Sequence, residues 1–176
     1  KDVAQKAGVS TTTVSHVINQ TRFVSEELTQ RVYRAMEALD YYPNTLARSL
    51  RSGQTKTIGL IVPDISNLFF AEIARIIEDR GLANGHSVIL CNADNDVAKE
   101  TRYIDVLIAK QVDGIIFISA GSESDNLKKL VDLGIPVVVA DRDLQEMSAD
   151  VVLVDNRQGG YLATQHLINL GHQHIA

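Results

Sequence analysis

Residues 1–23, KDVAQKAGVSTTTVSHVINQTRF, spell two short helices broken at Gly8-Val9. In the first, Val3, Ala4 and Ala7 share one face, and Gly8 supplies the sharp reversal that a helix-turn-helix needs. Ser10 opens the second helix, where its hydroxyl can cap the free N–H groups of the first turn. Val14, Val17 and Ile18 then point inward, and Thr11, Thr12, Ser15 and His16 point outward. Short polar side chains of this kind reach base edges and phosphates when a helix enters the major groove N-terminus first. An ordinary helical hairpin with a solvated face shares the bare pattern, so the neighbouring sequence has to separate the two.

Working outward, Ser25 opens a third helix with Glu26 and Glu27 in its first turn, where carboxylates suit the positive end of the helix dipole. Leu28, Val32, Met36 and Leu39 fall on one face and close a three-helix mini-core, and Tyr41-Tyr42-Pro43 ends the helix because the residue before a proline leaves the helical region. Next comes TLARSLR, residues 45–51, a good helix former too short to hold a helix alone in water and therefore a candidate for folding on contact. Residues 1–56 hold eight Lys/Arg against five Asp/Glu, a net of +3, and the remainder nine against seventeen, a net of −8. The basic end coincides with the motif, which is what gives so modest a charge its weight. Gly53, Gln54 and Thr55 mark a linker, with the domain boundary near Thr55.

Beyond it, apolar runs alternate with amphipathic stretches. Strands are expected at 57–63, 87–92, 114–119, 136–140 and 150–154, and helices at 70–84, 98–111, 125–133 and 160–170. Continuous Val/Ile strands separated by helices imply a parallel sheet covered on both faces, a doubly wound α/β fold with right-handed crossovers. Ligands of such sheets sit in the crevice beyond the carboxyl ends of the strands. There the sequence places Asp64, Ser66, Asn67, Phe69 and Phe70 after the first strand, residues 92–96 after the second, Ser119 after the third, and Asp141 and Arg142 after the fourth. Aromatics beside an Asn, an Asp and an Arg can stack on a flat C–H face and grip hydroxyls around its edge, as a sugar site does. The same residues also fit a plainer reading in which Phe69 and Phe70 open a helix into the core and Asp141-Arg142 is a loop ion pair.

VSTTTVSHVIN followed by TRFVSEE, with the segment through Arg51, resembles the headpiece and hinge of the lactose repressor/galactose repressor family of bacterial transcription regulators, its purine and ribose branch above all. The resemblance implies an all-α helix-turn-helix headpiece at 1–43, a hinge helix and linker at 44–56, the first lobe of a periplasmic-binding-protein-like core at 57–155, and the start of a second lobe at 156–176. It implies DNA contacts from Ser10, Thr11, Thr12, Ser15, His16 and Arg22. Leu50 matches a hinge leucine that wedges between base pairs of the minor groove, flanked by Arg48 and Arg51 on the phosphates. In the core, Asn67, Phe69, Phe70, Asp141 and Arg142 stand where ribose binders contact the ring and its hydroxyls, and Ser119 replaces an amide there. Ribose is thus the first expectation for a small effector and a purine the alternative. The implied partners are double-stranded operator DNA, the effector and a second copy of the chain.

The chain ends in LINLGHQHIA, soon after the VDNRQGG segment that in the family crosses between lobes, with Asp155 and Asn156 expected to end the crossing strand. Most of the second lobe is therefore expected to be missing, leaving Leu162, Leu167 and Ile168 without a sheet to cover. Other chemistries leave thin traces. Cys91, alone in an apolar strand, fits a reduced cytoplasmic protein and excludes a disulfide framework. No membrane-length apolar run or signal peptide is seen. His166, His172 and His174 have poor spacing for a metal, and neither GxGxxG nor a Walker motif is present, so no cofactor and no enzyme is expected. A solute-binding protein of the sugar-binding type would account for the core alone.

Overall fold

The structure is a computed structural model describing residues 1–42, 49, 53–118, 125–142 and 149–175. It divides into two compact units, Lys1–Ser52 and Gly53–Ala176.

The first unit holds α1 (Asp2–Ala7), α2 (Thr11–Asn19) and α3 (Glu26–Glu37). Gly8 ends α1 with φ 63°, a left-handed conformation that costs glycine little and lets the chain reverse within a few residues. Val3, Ala7, Val17, Val32 and Ala35 form the mini-core, with Val9, Val14, Val24 and Met36 packed around it. Ser25 sits at the N-cap of α3 without a capping hydrogen bond from its hydroxyl, and Glu26 and Glu27 occupy the first turn. Leu39 departs from expectation and is 40% exposed. Helix α3 stops at Glu37, Asp40 takes φ 45°, and the Tyr41 N–H folds back onto the Met36 carbonyl at 2.9 Å, which carries Leu39 off the apolar face.

The second unit is a five-stranded, wholly parallel sheet in the order β2-β1-β3-β4-β5. Its elements are β1 (Thr57–Val62), α4 (Leu68–Ala83), β2 (Ser87–Asn92), α5 (Val97–Ala109), β3 (Gly114–Phe117), α6 (Asp125–Asp132), β4 (Val137–Ala140), β5 (Asp150–Val152) and α7 (Asn156–Asn169). Strands β1 and β2 pair in register from Thr57 opposite Ser87 to Val62 opposite Asn92. Neighbouring residues of β1 serve opposite faces. Leu60 and Val62 join Ala74 and Ile118 on the α4 side, whereas Ile61 joins Ile104, Leu107, Phe117, Leu127 and Leu130 on the α5–α6 side. Connections of one hand require this split, because strand order reverses direction at β1. Each of the fully buried Phe, Leu and Ile side chains adds about 1.5–3 kcal/mol relative to exposure.

Two local features refine the expected elements. Helix α7 starts at Asn156, because the Asp155 carboxylate accepts the Gln158 N–H at 2.8 Å. Asp155 and Asn156 therefore begin a helix rather than end a strand, and Gly159-Gly160 lie within its first turns. Leu162 and Ile168 of α7 are exposed, and Leu167 is half-buried. In β1, Gly59 has no side chain where α5 crosses: a Cβ there would stand 2.6 Å from Leu107 Cδ1.

Candidate functional site

Helix α2 carries the first candidate surface. Ser10 caps it, its Oγ accepting the Thr13 N–H at 3.0 Å and sharing a 2.8 Å hydrogen bond with the Thr13 hydroxyl. The first turn contains no acidic residue. Its N–H groups and the positive end of the dipole are thus suited to a phosphate. Thr11, Thr12 and Arg22 are exposed, and their side chains make no hydrogen bond among the described residues. Ser15 and His16 are half-buried and already engaged: Asn19 Nδ2 donates to the Ser15 carbonyl at 2.8 Å and to its Oγ at 3.2 Å, and His16 Nδ1 lies 2.8 Å from Thr21 Oγ1. The surface thus comprises two exposed threonines, an imidazole held through one nitrogen, and an arginine on the following loop. Arg48, Leu50 and Arg51 lie outside the described residues.

Two residues of this unit escaped the sequence reading. Phe23, next to Arg22, is 95% exposed; the only signal for it is an aromatic that falls between two helices and on the apolar face of neither. Arg31 of α3 reaches across to the α1–α2 turn, donating Nε and Nη2 to the Ala7 carbonyl at 3.1 and 2.7 Å and Nη2 to the Gly8 carbonyl at 3.3 Å. Twenty-four residues of separation hide that contact from any local pattern.

The second unit places its candidate residues at the carboxyl ends of β1, β2 and β4. Between β1 and β3 the strand order reverses, the place where doubly wound sheets bind ligands. Asp64 Oδ1 accepts the Ser66 N–H and hydroxyl at 2.8 and 2.7 Å, and Asn67 caps α4 by accepting the Phe69 N–H at 3.0 Å. That cap uses the Asn67 oxygen, while its Nδ2 has no partner among the described residues. Phe69 is exposed and meets Phe70 edge to face at 5.2 Å, while Phe70 turns into the core against Leu60 and Ile118. The two aromatics therefore differ: Phe70 is anchored in the core and Phe69 is exposed. Asp141 adopts φ 66° and donates its N–H to the Val152 carbonyl at 2.9 Å, with the exposed Arg142 beside it. A short polar side chain tolerates the left-handed region best, and outliers of this kind gather at ligand sites. Ser119 lies outside the described residues.

The floor of the crevice is fastened by side chains of β2 and α5. Asn92 Oδ1 accepts the Ile65 N–H at 3.0 Å, and its Nδ2 donates to Asp94 at 2.6 Å. Lys99 donates to Asp94 from the other side, which, with its positive charge and the Asn92 contact, holds the Asp94 carboxyl below the usual range despite partial desolvation. Lys99 was not among the expected residues, although its place in the first turn after residues 92–96 made it reachable. Two open hollows of about 490 and 420 Å³ lie at the opposite, amino-terminal end of the strands, lined by residues such as Asp113, Gly134 and Pro136. Neither coincides with the crevice; residues 119–124 and 143–148 lie outside the described residues.

No helix among the described residues is long and apolar enough to cross a membrane, and none of their His, Cys, Asp and Glu side chains group as a metal site. Cys91 is buried in the sheet, where desolvation pushes its thiol up.

Comparison with known proteins places both units. Residues 1–44 match the family described as "Bacterial regulatory proteins, lacI family", and residues 55–176 match "Periplasmic binding proteins and sugar binding domain of LacI family". The chain is 44% identical over 175 residues to the HTH-type transcriptional repressor PurR of Actinobacillus pleuropneumoniae serotype 5b (strain L20), covering 99% of this chain and 52% of the relative. It is 44% identical over 178 residues to PurR of Vibrio parahaemolyticus serotype O3:K6, covering 53% of it. The chain thus spans about half the length of the curated relatives it matches. Among solved structures, the lac repressor dimer bound to operator and the anti-inducer ONPF superposes with TM-score 0.82 at 29% identity, over 99% of this chain and 53% of that one. A putative ribose operon repressor from Burkholderia thailandensis gives 0.62 at 34% identity, over 66% of this chain and 45% of that one.

Proposed function

Since the chain belongs to the LacI family of bacterial regulatory proteins, we propose that it is a DNA-binding transcriptional repressor that acts as a dimer on a near-palindromic operator and whose DNA affinity is set by a small effector. The observation that carries this reading is the capped α2, with Thr11 and Thr12 exposed on a formed helix-turn-helix and Arg22 free on the next loop. In the proposed complex α2 enters the major groove. Thr11, Thr12 and His16 contact bases or the neighbouring phosphates, Arg22 neutralises a phosphate, and each such contact steepens the salt dependence of binding. The hinge from residue 44, with Leu50 as wedge and Arg48 and Arg51 on the backbone, completes the interface in the minor groove.

The effector occupies the crevice at the β1/β3 reversal. Phe69 offers a stacking face, Asn67 Nδ2 a donor, and Asp141 with Arg142 an acceptor and a donor for hydroxyls, a set that supports a pentose such as ribose. Coupling between effector and operator of the usual size, about 1–3 kcal/mol, is reciprocal, so DNA shifts effector affinity by the same factor. A purine effector is the second reading, favoured by the PurR relatives at 44% identity; a flat base also suits the exposed Phe69 ring. Both place the protein among regulators rather than catalysts, and a bacterial repressor of this kind works in the cytoplasm. The deciding experiment is fluorescence anisotropy of the intact protein on a palindromic duplex with a central CG step, at fixed salt, with ribose, a purine base or neither. A change of fivefold or more with ribose alone supports the sugar reading, the same with the purine alone supports the second, and no operator binding in any condition refutes the repressor itself.

A further inference from the structure

We propose that Thr21, a residue outside the candidate DNA-contact set, is a positioning residue for His16 and thereby sets what that imidazole can read. This rests on the reading of His16 as a base-contacting residue. Helix α2 ends because Gln20 takes a left-handed conformation, φ 51° and ψ 34°, which is unfavourable for a glutamine and brings the chain back over the last turn. Thr21 then stands with Oγ1 2.8 Å from His16 Nδ1. The other ring nitrogen, Nε2, has no partner among the described residues and is the one left for DNA.

The chemistry of the pair follows from what each group can donate. A neutral imidazole exists as two tautomers, and the hydrogen bond at one nitrogen decides the role of the other. A threonine hydroxyl that donates to Nδ1 fixes Nε2 as a donor, suited to guanine N7 or O6 and thymine O4. A hydroxyl that accepts from Nδ1–H fixes a neutral ring's Nε2 as an acceptor, suited to the exocyclic amines of cytosine or adenine. In either case Thr21 stops ring rotation before DNA arrives and confines contact to one nitrogen. The left-handed Gln20 has a purpose in this account: it delivers the hydroxyl.

The test is a double-mutant cycle on the intact protein, read as affinity for operator and for scrambled duplex at fixed salt. Thr21→Val keeps the shape and removes the hydroxyl. It is expected to weaken operator binding about fivefold, the size of one net hydrogen bond, with scrambled duplex unaffected and the melting temperature unchanged; Thr21→Ser restores the affinity. In a His16→Ala background Thr21→Val is expected to have no further effect. An equal loss in both backgrounds overturns the positioning role and makes Thr21 an independent DNA contact. His16→Ala without effect on operator binding overturns the underlying assignment of His16 as well. Nitrogen-15 shifts of the His16 ring give a readout independent of DNA: Thr21→Val is expected to change the tautomer ratio, and an unchanged ratio contradicts the proposal.

Discussion

Replacing Arg31 by alanine tests how the helix-turn-helix is held. The guanidinium makes two hydrogen bonds to the Ala7 carbonyl, at 3.1 and 2.7 Å, and a longer one to Gly8 at 3.3 Å. Both carbonyls lie at the end of α1, where backbone acceptors lack helical partners. Hydrogen bonds to a charged group are worth about 1.5–3 kcal/mol each when well shielded. Here two of the three share one acceptor, the third is long, and water can replace part of the loss, so the expected cost of Arg31→Ala is about 1–2 kcal/mol. In a unit of some fifty residues, Lys1–Ser52, that lowers the melting temperature by roughly 10 °C. Arg31→Lys, with one compact ammonium in place of the fork, is expected to recover about half of the loss. Circular dichroism melts, with hydrogen exchange of the Val9 N–H that closes the turn onto Ala4, read the effect where it occurs. A shift of less than roughly 2 °C, with Val9 protection unchanged, refutes the reasoning, because α1 would then be held by the apolar mini-core alone.

Three further perturbations probe the second unit. Gly59→Ala places a Cβ 2.6 Å from Leu107 Cδ1; Leu107 is fully buried and has little room to turn, so a loss of about 1–3 kcal/mol in urea unfolding is expected, and a neutral result would mean α5 can shift. Asn126→Ala removes the 2.8 Å donor to the buried Glu100 and the acceptor of the Thr101 hydroxyl, with an expected cost of about 1–3 kcal/mol in the same assay. Asp113 clasps the entry to β1. Burial pushes its carboxyl up, but the Thr55 N–H and hydroxyl, the Lys56 N–H and the His86 charge outweigh that and hold it below the ordinary value. A depressed folded value means that the stabilisation is complete above the unfolded value, about 3.9, and is lost as pH falls through the folded one. Asp113→Asn is thus expected to be less stable than the parent at pH 7, its amide N–H₂ facing the Lys56 N–H, with the gap closing as pH falls below the unfolded value of about 3.9 and through the lower folded one; a gap independent of pH would mean the carboxylate charge plays no part.

Most of the fold was legible because it rests on runs of one residue type. TIGLIV, SVILCN and VVVA admit little but buried strands once helices separate them, and their parallel pairing followed from the doubly wound class; the order β2-β1-β3-β4-β5 came from the structure. The element ends were less legible. The last helix was expected from residue 160, yet the Asp155 cap begins α7 at Asn156, because a side chain that satisfies a free N–H outweighs the modest helix cost of two glycines. Leu39 continues the apolar spacing of α3 but lies beyond the helix end at Glu37, just before a left-handed Asp40 that periodicity does not register. At the candidate sites, residue types were readable and their commitments were not. Ser10, Ser15 and Asn67 spend hydroxyl or amide groups on local hydrogen bonds, and Arg31 and Asp113 act across 24 and 58 residues, beyond the reach of spacing.

The central claim, that α2 and the residues after it read DNA by sequence, is tested most directly by titrating the intact protein into a fluorescent palindromic operator and a scrambled duplex of the same length and composition, at one salt concentration. The account predicts that operator binding is tighter by a factor on the order of 10³ or more, and that Thr12→Ala reduces the difference about fivefold, the size of one net hydrogen bond, while leaving the scrambled duplex unchanged. Equal affinity for the two duplexes would contradict it.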